Sequence, residues 1–348
     1  MGKRATLQDI ANYCSLSKSM VAYVIREPNA CKATEETKAA IAAAVRELNY
    51  MPNLTARRLR TQRSKLIGIA FPSLLGYYHE LQLEIEAELE RHGYYSISTH
   101  WNHKAADIHQ EILHALNRLC CQQVDGIISC HHDFPPTELS VPIVYYGEPQ
   151  STADCVFPDL ADYSHKVIQY LFKMGHRKIG YMGYYNDIRK GFIIREMQGL
   201  GLEIRTEWFM YALATLENGY IIMQRFLELK ERPTAIIVHS DQMAIAAMRA
   251  AIEAGVKIPD EISFISFDGL QESAYLNPAL TTFHISFQQA AMLLVQTILH
   301  RLDDPKMPLQ QRTISVSLIE RESVQAMTSS IISGYRSLEV LPEHSKAY

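Results

Sequence analysis

Beyond residue 65, short apolar runs alternate with helical patterns, and this alternation constrains the fold more than any other feature of the chain. The run 66–71 has the composition of a buried strand, and the next segment places Leu81, Ile85 and Leu89 at helical spacing before Gly93. Strands that alternate with helices are typical of parallel sheets built from βαβ units. Because a chain of 348 residues is too long to form a single compact core, we expect two or three domains.

The alternation occurs in two successive sets, which predicts two doubly wound parallel α/β lobes with a ligand cleft at the carboxyl ends of their strands. The predicted strands are 66–71, 94–99, 125–130, 142–147, 177–183, 207–212, 234–239, 261–267 and 312–320. After the helix that contains Leu81, Ile85 and Leu89, the predicted helices are 106–121, 160–174, 187–199, 215–230, 241–254 and 286–302.

Charge is distributed unevenly along the chain. Residues 1–65 contain 12 Lys/Arg and 5 Asp/Glu, whereas the remainder contains 22 and 33, so that the net charge of −4 conceals a basic head on an acidic body. This asymmetry indicates that the head meets a polyanion.

Several classes of protein are disfavoured by what the sequence lacks. We see no signal-peptide pattern and no run near the ~18 apolar residues of a membrane span, so we expect a cytoplasmic protein. The six cysteines lack CxxC spacing, and a metal site at His131, His132 and Asp133 is disfavoured because no spaced ligand accompanies them. Without a phosphate-binding glycine motif or a nucleophile-base constellation, we predict no cofactor, no metal and no enzymatic activity.

Three short helical patterns occupy the first 50 residues and predict a helix-turn-helix head. Thr6 can cap the first helix, and after a connection of three residues Ser17 can cap the second. Lys18, Ser19 and Tyr23 then lie where a recognition helix would reach base edges in the major groove. The alternative is that these polar side chains form the solvated face of a small helical bundle.

Residues 52–60 read PNLTARRLR and predict a short helix, capped by Asn53, with clustered arginines beside Leu59. So short a helix needs a partner, and the pattern is similar to devices that insert an apolar wedge into the minor groove. The alternative is a solvated linker.

These motifs together resemble the lactose-repressor/galactose-repressor family of bacterial transcription regulators. In the head, the resemblance rests on residues 6–11, 17–25, 34–37, 47–50 and 52–61. In the body it rests on residues 125–128, 171–179, 232–236, 241–245, 258–263, 267–268, 280–282 and 318–321. The resemblance implies DNA binding by a homodimer and an effector domain of the periplasmic-binding-protein type. The candidate DNA-binding residues are Thr6, Ser17, Lys18, Ser19, Tyr23, Asn53, Ala56, Arg57, Leu59 and Arg60.

The chain also departs from the family. Ser15 stands where the family has a turn glycine, and Met20 and Ala22 stand where it has hydroxyl residues, which removes two phosphate donors. Tyr23 replaces an arginine, so we expect an uncommon operator.

The candidate effector contacts come from two sources: Ser240 and Asp268 lie at strand ends, and the family resemblance implies the other four. They are Tyr77, Tyr78, Asp162, Arg189, Ser240 and Asp268. The family's spacing before Gly191 would place its effector-binding arginine at Ile188 rather than Arg189, and Ser240 replaces a family asparagine. The alternative to effector binding is that the acidic residues cap helices, that Arg189 lies on the surface and that the tyrosines are half-buried.

The sequence therefore predicts a DNA-binding regulator controlled by a sugar or related metabolite. Its predicted domains are a DNA-binding head (1–50), a hinge helix and linker (51–64), a two-lobed effector-binding and dimerisation domain (65–323) and a tail (324–348) without a heptad for tetramerisation. The rival interpretations are a small-molecule-binding protein with a degenerate head and a two-lobed enzyme.

Overall fold

The computed structural model describes residues 5–26, 31–50, 63–72, 76–101, 107–130, 139–185 and 187–327. The chain divides into two compact units, residues 1–64 and 65–348. The predicted hinge helix at 53–60, the His131–Asp133 cluster and residues 328–348 of the predicted tail lie outside the described residues.

The first unit contains three helices, α1 (Leu7–Tyr13), α2 (Lys18–Arg26) and α3 (Glu35–Glu47). Helix α1 begins with a reciprocal capping box, in which the Thr6 hydroxyl accepts from the Asp9 amide and the Asp9 carboxylate accepts from the Thr6 amide at 2.7 Å. A small core is formed by Ile10, Ala11, Val21, Val24, Cys31, Ile41 and Ala44. The predicted three-helix head is confirmed.

The second unit contains two six-stranded sheets flanked by helices. Its strands are β1 (Leu66–Pro72), β2 (Tyr95–Trp101), β3 (Gly126–Ser129), β4 (Ile143–Tyr146), β5 (Asp154–Pro158), β6 (Ile179–Gly183), β7 (Phe209–Tyr211), β8 (Ala235–Val238), β9 (Ser263–Asp268), β10 (Thr281–Ile285), β11 (Gln311–Ile314) and β12 (Val316–Ile319). Its helices are α4 (Tyr77–Arg91), α5 (Ile108–Cys121), α6 (Leu160–Lys173), α7 (Arg189–Gly199), α8 (Leu216–Glu228), α9 (Asp241–Glu253) and α10 (Phe287–Asp303).

The two sheets define two lobes. Sheet order is β11-β5-β4-β3-β1-β2 in lobe 1 and β12-β10-β9-β8-β6-β7 in lobe 2, and all pairs are parallel except β10 with β12. The strand order reverses next to the first strand of each lobe, as doubly wound folds require. The predicted fold class is confirmed.

The chain passes between the lobes three times, after β5, after β10 and between β11 and β12. Helix α10 follows a strand of lobe 2 but packs against α4 and the sheet of lobe 1. In doubly wound folds the ligand site lies outside the carboxyl ends of the strands, so residues at these ends are the candidates for the cleft.

The structure differs from the prediction in three places, and the first is β10 (Thr281–Ile285), which was not among the predicted strands. Strand β5 was not predicted, because its buried first residue is the charged Asp154 and its last is Pro158. The predicted strand 312–320 is two strands in different lobes, β11 and β12, separated by Ser315. An alternating apolar pattern does not indicate which sheet a strand joins. The sequence therefore could not predict that β11 pairs in lobe 1 and β12 in lobe 2.

Candidate functional site

Helix α2 of the head presents its polar side to solvent. The Ser17 hydroxyl caps it by accepting from the Met20 amide at 3.1 Å. Val21 and Val24 are buried beneath the helix, whereas Lys18, Ser19 and Tyr23 are exposed. The three predicted base-reading residues therefore lie on the side of the helix that a DNA groove could reach.

The turn between α1 and α2 is tight. Ser15 has a φ of +53°, in the left-handed region that favours glycine, and the Leu16 amide donates to the Ala11 carbonyl at 2.9 Å. The departure from a turn glycine thus leaves the turn geometry in place.

The cleft between the lobes gathers four of the six predicted effector contacts. Tyr77 and Tyr78 begin α4 directly beyond β1, Arg189 begins α7 beyond β6, and Asp268 ends β9. The negative charge of Asp268 contributes to raising the pKa of both tyrosines, which places residues of the two lobes within electrostatic reach of one another.

Aromatic side chains fill the lobe 1 side of the cleft. The Tyr77 ring lies 5.0 Å from Phe287, 5.4 Å from Tyr78 and 6.1 Å from Tyr146, between ring centres, and the Tyr77 and Tyr146 hydroxyls are hydrogen-bonded. Burial raises the pKa of all three tyrosines, so their hydroxyls stay neutral. Tyr78 also bonds the Cys130 thiol, whose pKa burial raises to about 12.

Arg189 is held in a buried network on the lobe 2 side. Its Nε donates to Asp187 Oδ1 at 2.9 Å and Oδ2 at 3.1 Å, and an Nη donates to the His239 carbonyl at 3.1 Å. His239 Nδ1 lies 2.6 Å from the same carboxylate, which the Tyr181 hydroxyl also contacts. Its guanidinium lies 5.0 Å from the centre of the Phe267 ring.

The charges in this network stabilise one another. Burial alone would raise the pKa of Asp187, but the Arg189 charge and the His239 hydrogen bond hold it well below its ordinary value. Burial and the neighbouring Arg189 charge lower the pKa of His239, which keeps the imidazole neutral at pH 7. The network thus contains one cation and one anion.

Asp241 organises the strand ends beside Asp268. It is fully buried, and its carboxylate accepts from the Ser266, Ser273 and Thr282 hydroxyls at 2.5, 2.6 and 2.7 Å and from the Leu270 amide at 2.8 Å. Burial, and then the Asp241 charge, raise the pKa of Asp268 well above its ordinary value.

The other two predicted contacts have local roles in this structure. The Asp162 carboxylate forms an ion pair with Lys166 at 2.6 Å on the surface of α6. The Ser240 hydroxyl caps α9 by accepting from the Met243 amide at 3.3 Å. Their effector contacts remain predictions.

Sequence reasoning missed several residues that the fold brings to the cleft. Tyr146 ends β4 and His239 follows β8, close to the ends of the predicted strands 142–147 and 234–239, so the strand-end rule could have found them. Tyr163 and Phe287 lie in the first turns of helices, where nothing in the sequence separates them from core residues. Within the described ranges, no group of His, Cys, Asp and Glu is arranged to hold a metal ion, and no helix is long and apolar enough to cross a membrane.

Two family models match the chain. Residues 6–53 match the model described as bacterial regulatory proteins, lacI family, and residues 168–324 match a periplasmic binding protein-like domain. The transcriptional repressor PurR of Serratia proteamaculans is 30% identical over 338 residues, which cover 92% of this chain and 97% of that protein. The PurR repressor of Pectobacterium carotovorum is 29% identical over 336 residues, with the same coverage.

Solved structures share the whole architecture. The lac repressor dimer bound to operator and the anti-inducer ONPF has a TM-score of 0.79 at 24% identity, covering 93% of this chain and 100% of that one. The CelR–cellobiose complex has a TM-score of 0.67 at 20% identity, covering 92% and 100%. At these identities the likeness establishes the fold.

Proposed function

This chain belongs to the lacI family of bacterial regulatory proteins, and we propose that it is a transcriptional repressor whose operator affinity is controlled by a small molecule bound between its lobes. The observation that carries the proposal is the exposed row of Lys18, Ser19 and Tyr23 on the second helix of the head. Because its other side is buried in the head, the polar outer side of this helix is free to contact base edges in the major groove.

In this proposal the head supplies both affinity and sequence readout. Lys18 can donate to guanine, Ser19 to several base edges, and Tyr23 offers a hydroxyl and a ring for a thymine methyl. Thr6 and Ser17 contact phosphates near their helix ends, and Asn53, Ala56, Arg57, Leu59 and Arg60 form the minor-groove element.

A homodimer in the cytoplasm is part of the proposal, because paired hinge segments and two heads are needed to read a symmetric operator in the chromosome.

Ligand and operator are coupled because the cleft joins two lobes that can change their relative position. If effector binding alters operator affinity by some factor, the operator alters effector affinity by the same factor. The residues proposed to receive the effector are Tyr77, Tyr78, Asp162, Arg189, Ser240 and Asp268.

The test is operator binding by the full-length chain. DNA from upstream of the chain's own gene is labelled and titrated at several salt concentrations, with a scrambled duplex of equal length as the control. We expect a specific complex whose affinity falls linearly with the logarithm of salt concentration. Absence of a specific, salt-dependent complex would favour a small-molecule-binding protein with a degenerate head.

A pair of variants separates readout from folding of the head. Tyr23→Ala should weaken operator binding by about 10-fold to 100-fold, while Gln8→Ala, on the exposed side of α1, should leave it unchanged. Circular dichroism checks that both heads stay folded. Equal affinity of the two variants would contradict base reading by Tyr23.

A further inference from the structure

The exposed side of α2 carries a large apolar side chain, Met20, that the proposed base contacts do not include. Met20 is 40% exposed and Tyr23 is 36% exposed. Methionine is among the residue types most often buried, so a head that leaves one in solvent forgoes the free energy of burying it. A single exposed apolar side chain needs no explanation, but two that adjoin indicate a contact surface.

The two side chains are neighbours on the helix. Residues three apart in an α-helix lie about 60° apart around its axis, with Cβ atoms about 5–6 Å apart. The Ser17 hydroxyl accepts from the Met20 amide at 3.1 Å, which fixes Met20 in the first turn. Val21 and Val24 hold the other side of the helix in the core of the head. Met20 and Tyr23 therefore form one apolar strip on the outer side.

DNA is the partner that this strip fits. Residues 1–65 contain 12 Lys/Arg against 5 Asp/Glu, so the part of the chain that contains the head attracts a polyanion. Lys18 and Ser19 are exposed at the start of the same helix, directly before Met20. A helix that enters the major groove brings its outer side chains to base edges.

The chemistry of Met20 restricts what it can recognise. A thioether has no hydrogen to donate, so Met20 cannot donate to a phosphate or to the acceptors of guanine and adenine. In the major groove, the apolar group that base pairs present is the 5-methyl group of thymine. The unbranched methionine side chain adapts its shape to such a group, and the Tyr23 ring supplies a second apolar surface.

We propose that Met20 and Tyr23 enclose the 5-methyl group of one thymine in each half of the operator, so that Met20 is a specificity-determining residue. The inference rests on the proposed function, since it names a base that the same head reads. Loss of one such methyl contact weakens binding about 4-fold, and loss in both halves of a symmetric operator weakens it about 15-fold.

The experiment compares operator DNA that contains thymine with the same DNA made with uracil, which pairs with adenine in the same way and lacks only the methyl group. Both duplexes have the sequence upstream of the chain's own gene, and fluorescence anisotropy measures their affinities for the full-length chain at one salt concentration. A scrambled duplex, made with thymine and with uracil, corrects for non-specific binding. We expect the uracil operator to bind about 15-fold more weakly, and single replacements to locate the loss at one thymine in each half.

Two variants assign the effect to Met20. Met20→Gln keeps the length of the side chain but makes it polar, so it should reduce the thymine-to-uracil affinity ratio to below about 4-fold. Met20→Leu keeps an apolar side chain and should retain a ratio close to that of wild type. Because Met20 is exposed, neither substitution disturbs the core of the head, and circular dichroism checks that both variants are folded.

A thymine-to-uracil ratio near one in wild type would overturn the inference. An unchanged ratio in Met20→Gln would overturn it too, since Met20 would then contact the DNA backbone or no DNA at all. Both outcomes leave the regulator proposal standing, because a specific complex still forms. If the thymine operator itself forms no specific complex, the regulator proposal fails and this inference fails with it.

Discussion

The partly buried Arg301 and the buried Asp154 form an ion pair that joins the end of α10 to the start of β5. Arg301 Nε donates to Asp154 Oδ2 at 2.7 Å and an Nη donates to Oδ1 at 2.9 Å, while the same carboxylate accepts from the Gln310 amide at 2.8 Å. The other Nη donates to the Met307 carbonyl at 2.6 Å. The pair therefore sets the path of the loop that leads into β11 and back to lobe 2.

Removing the cation should destabilise the larger unit strongly. We expect Arg301→Met to lower the free energy of unfolding by about 3–5 kcal/mol, because the carboxylate of Asp154 would stay buried without its partner. Arg249→Met, which breaks an exposed pair with Glu253, should cost less than about 1 kcal/mol. Urea unfolding, monitored by tryptophan fluorescence, measures the free energy of unfolding of both variants. Similar losses in Arg301→Met and Arg249→Met would contradict a structural role for the Arg301–Asp154 pair.

Gly219 permits the close approach of α8 and α9. A Cβ at this position would lie 2.3 Å from the Met243 carbonyl oxygen, which is backbone and cannot move aside. We expect Gly219→Ala to destabilise the protein by at least about 2 kcal/mol through overpacking. Gly199→Ala, at the end of α7 with open space around it, should be neutral or stabilising by up to about 1 kcal/mol. Thermal unfolding measures the stability of the two variants. If α8 and α9 can move apart freely, Gly219→Ala should be as stable as Gly199→Ala, which would contradict the prediction.

His176 makes stability depend on pH. It is buried, with its ring nitrogens 2.9 Å from the Thr234 hydroxyl and 3.2 Å from the Gln325 carbonyl, and burial lowers its pKa to about 4. Because the folded pKa lies below the unfolded value of about 6.5, the stabilisation is complete above pH 6.5 and is lost as pH falls towards 4.

We therefore expect wild type to lose on the order of 3 kcal/mol more unfolding free energy between pH 7 and pH 4 than His176→Gln does. Urea unfolding across this range is the measurement, and His114→Gln, at an exposed position, is the control. Parallel pH profiles for wild type and His176→Gln would show that another group causes the acid sensitivity.

Leu59, outside the described residues, is predicted to wedge into the minor groove. Leu59→Ala should weaken operator binding at least about 10-fold while changing effector affinity little and leaving the salt dependence intact, since no charge is removed. Arg57→Ala should instead reduce the salt slope by about one. Fluorescence anisotropy with the labelled operator distinguishes the two effects, and unchanged affinity in Leu59→Ala would refute the wedge.

The alternating pattern of the sequence determined most of the fold. Helical spacing of buried residues such as Leu81, Ile85 and Leu89, and caps such as Thr6 and Ser17, are local, so they mark α1, α2 and α4 without knowledge of any neighbour. Strand β5 was not predicted because the partners that satisfy the buried Asp154 carboxylate, Arg301 and the Gln310 amide, lie about 150 residues further along the chain.

The candidate site divides in the same way. Tyr77, Tyr78, Arg189 and Asp268 could be named from the sequence, because strand ends in doubly wound lobes point to a shared cleft and the family motifs mark these ends. The pKa values and hydrogen-bond partners of these residues could not be predicted from the sequence. The raised pKa of Asp268, the ion pair of Arg189 with Asp187 and the Tyr163 hydroxyl, which has no partner among the described residues, depend on burial and on charges from distant segments that only the tertiary structure brings together.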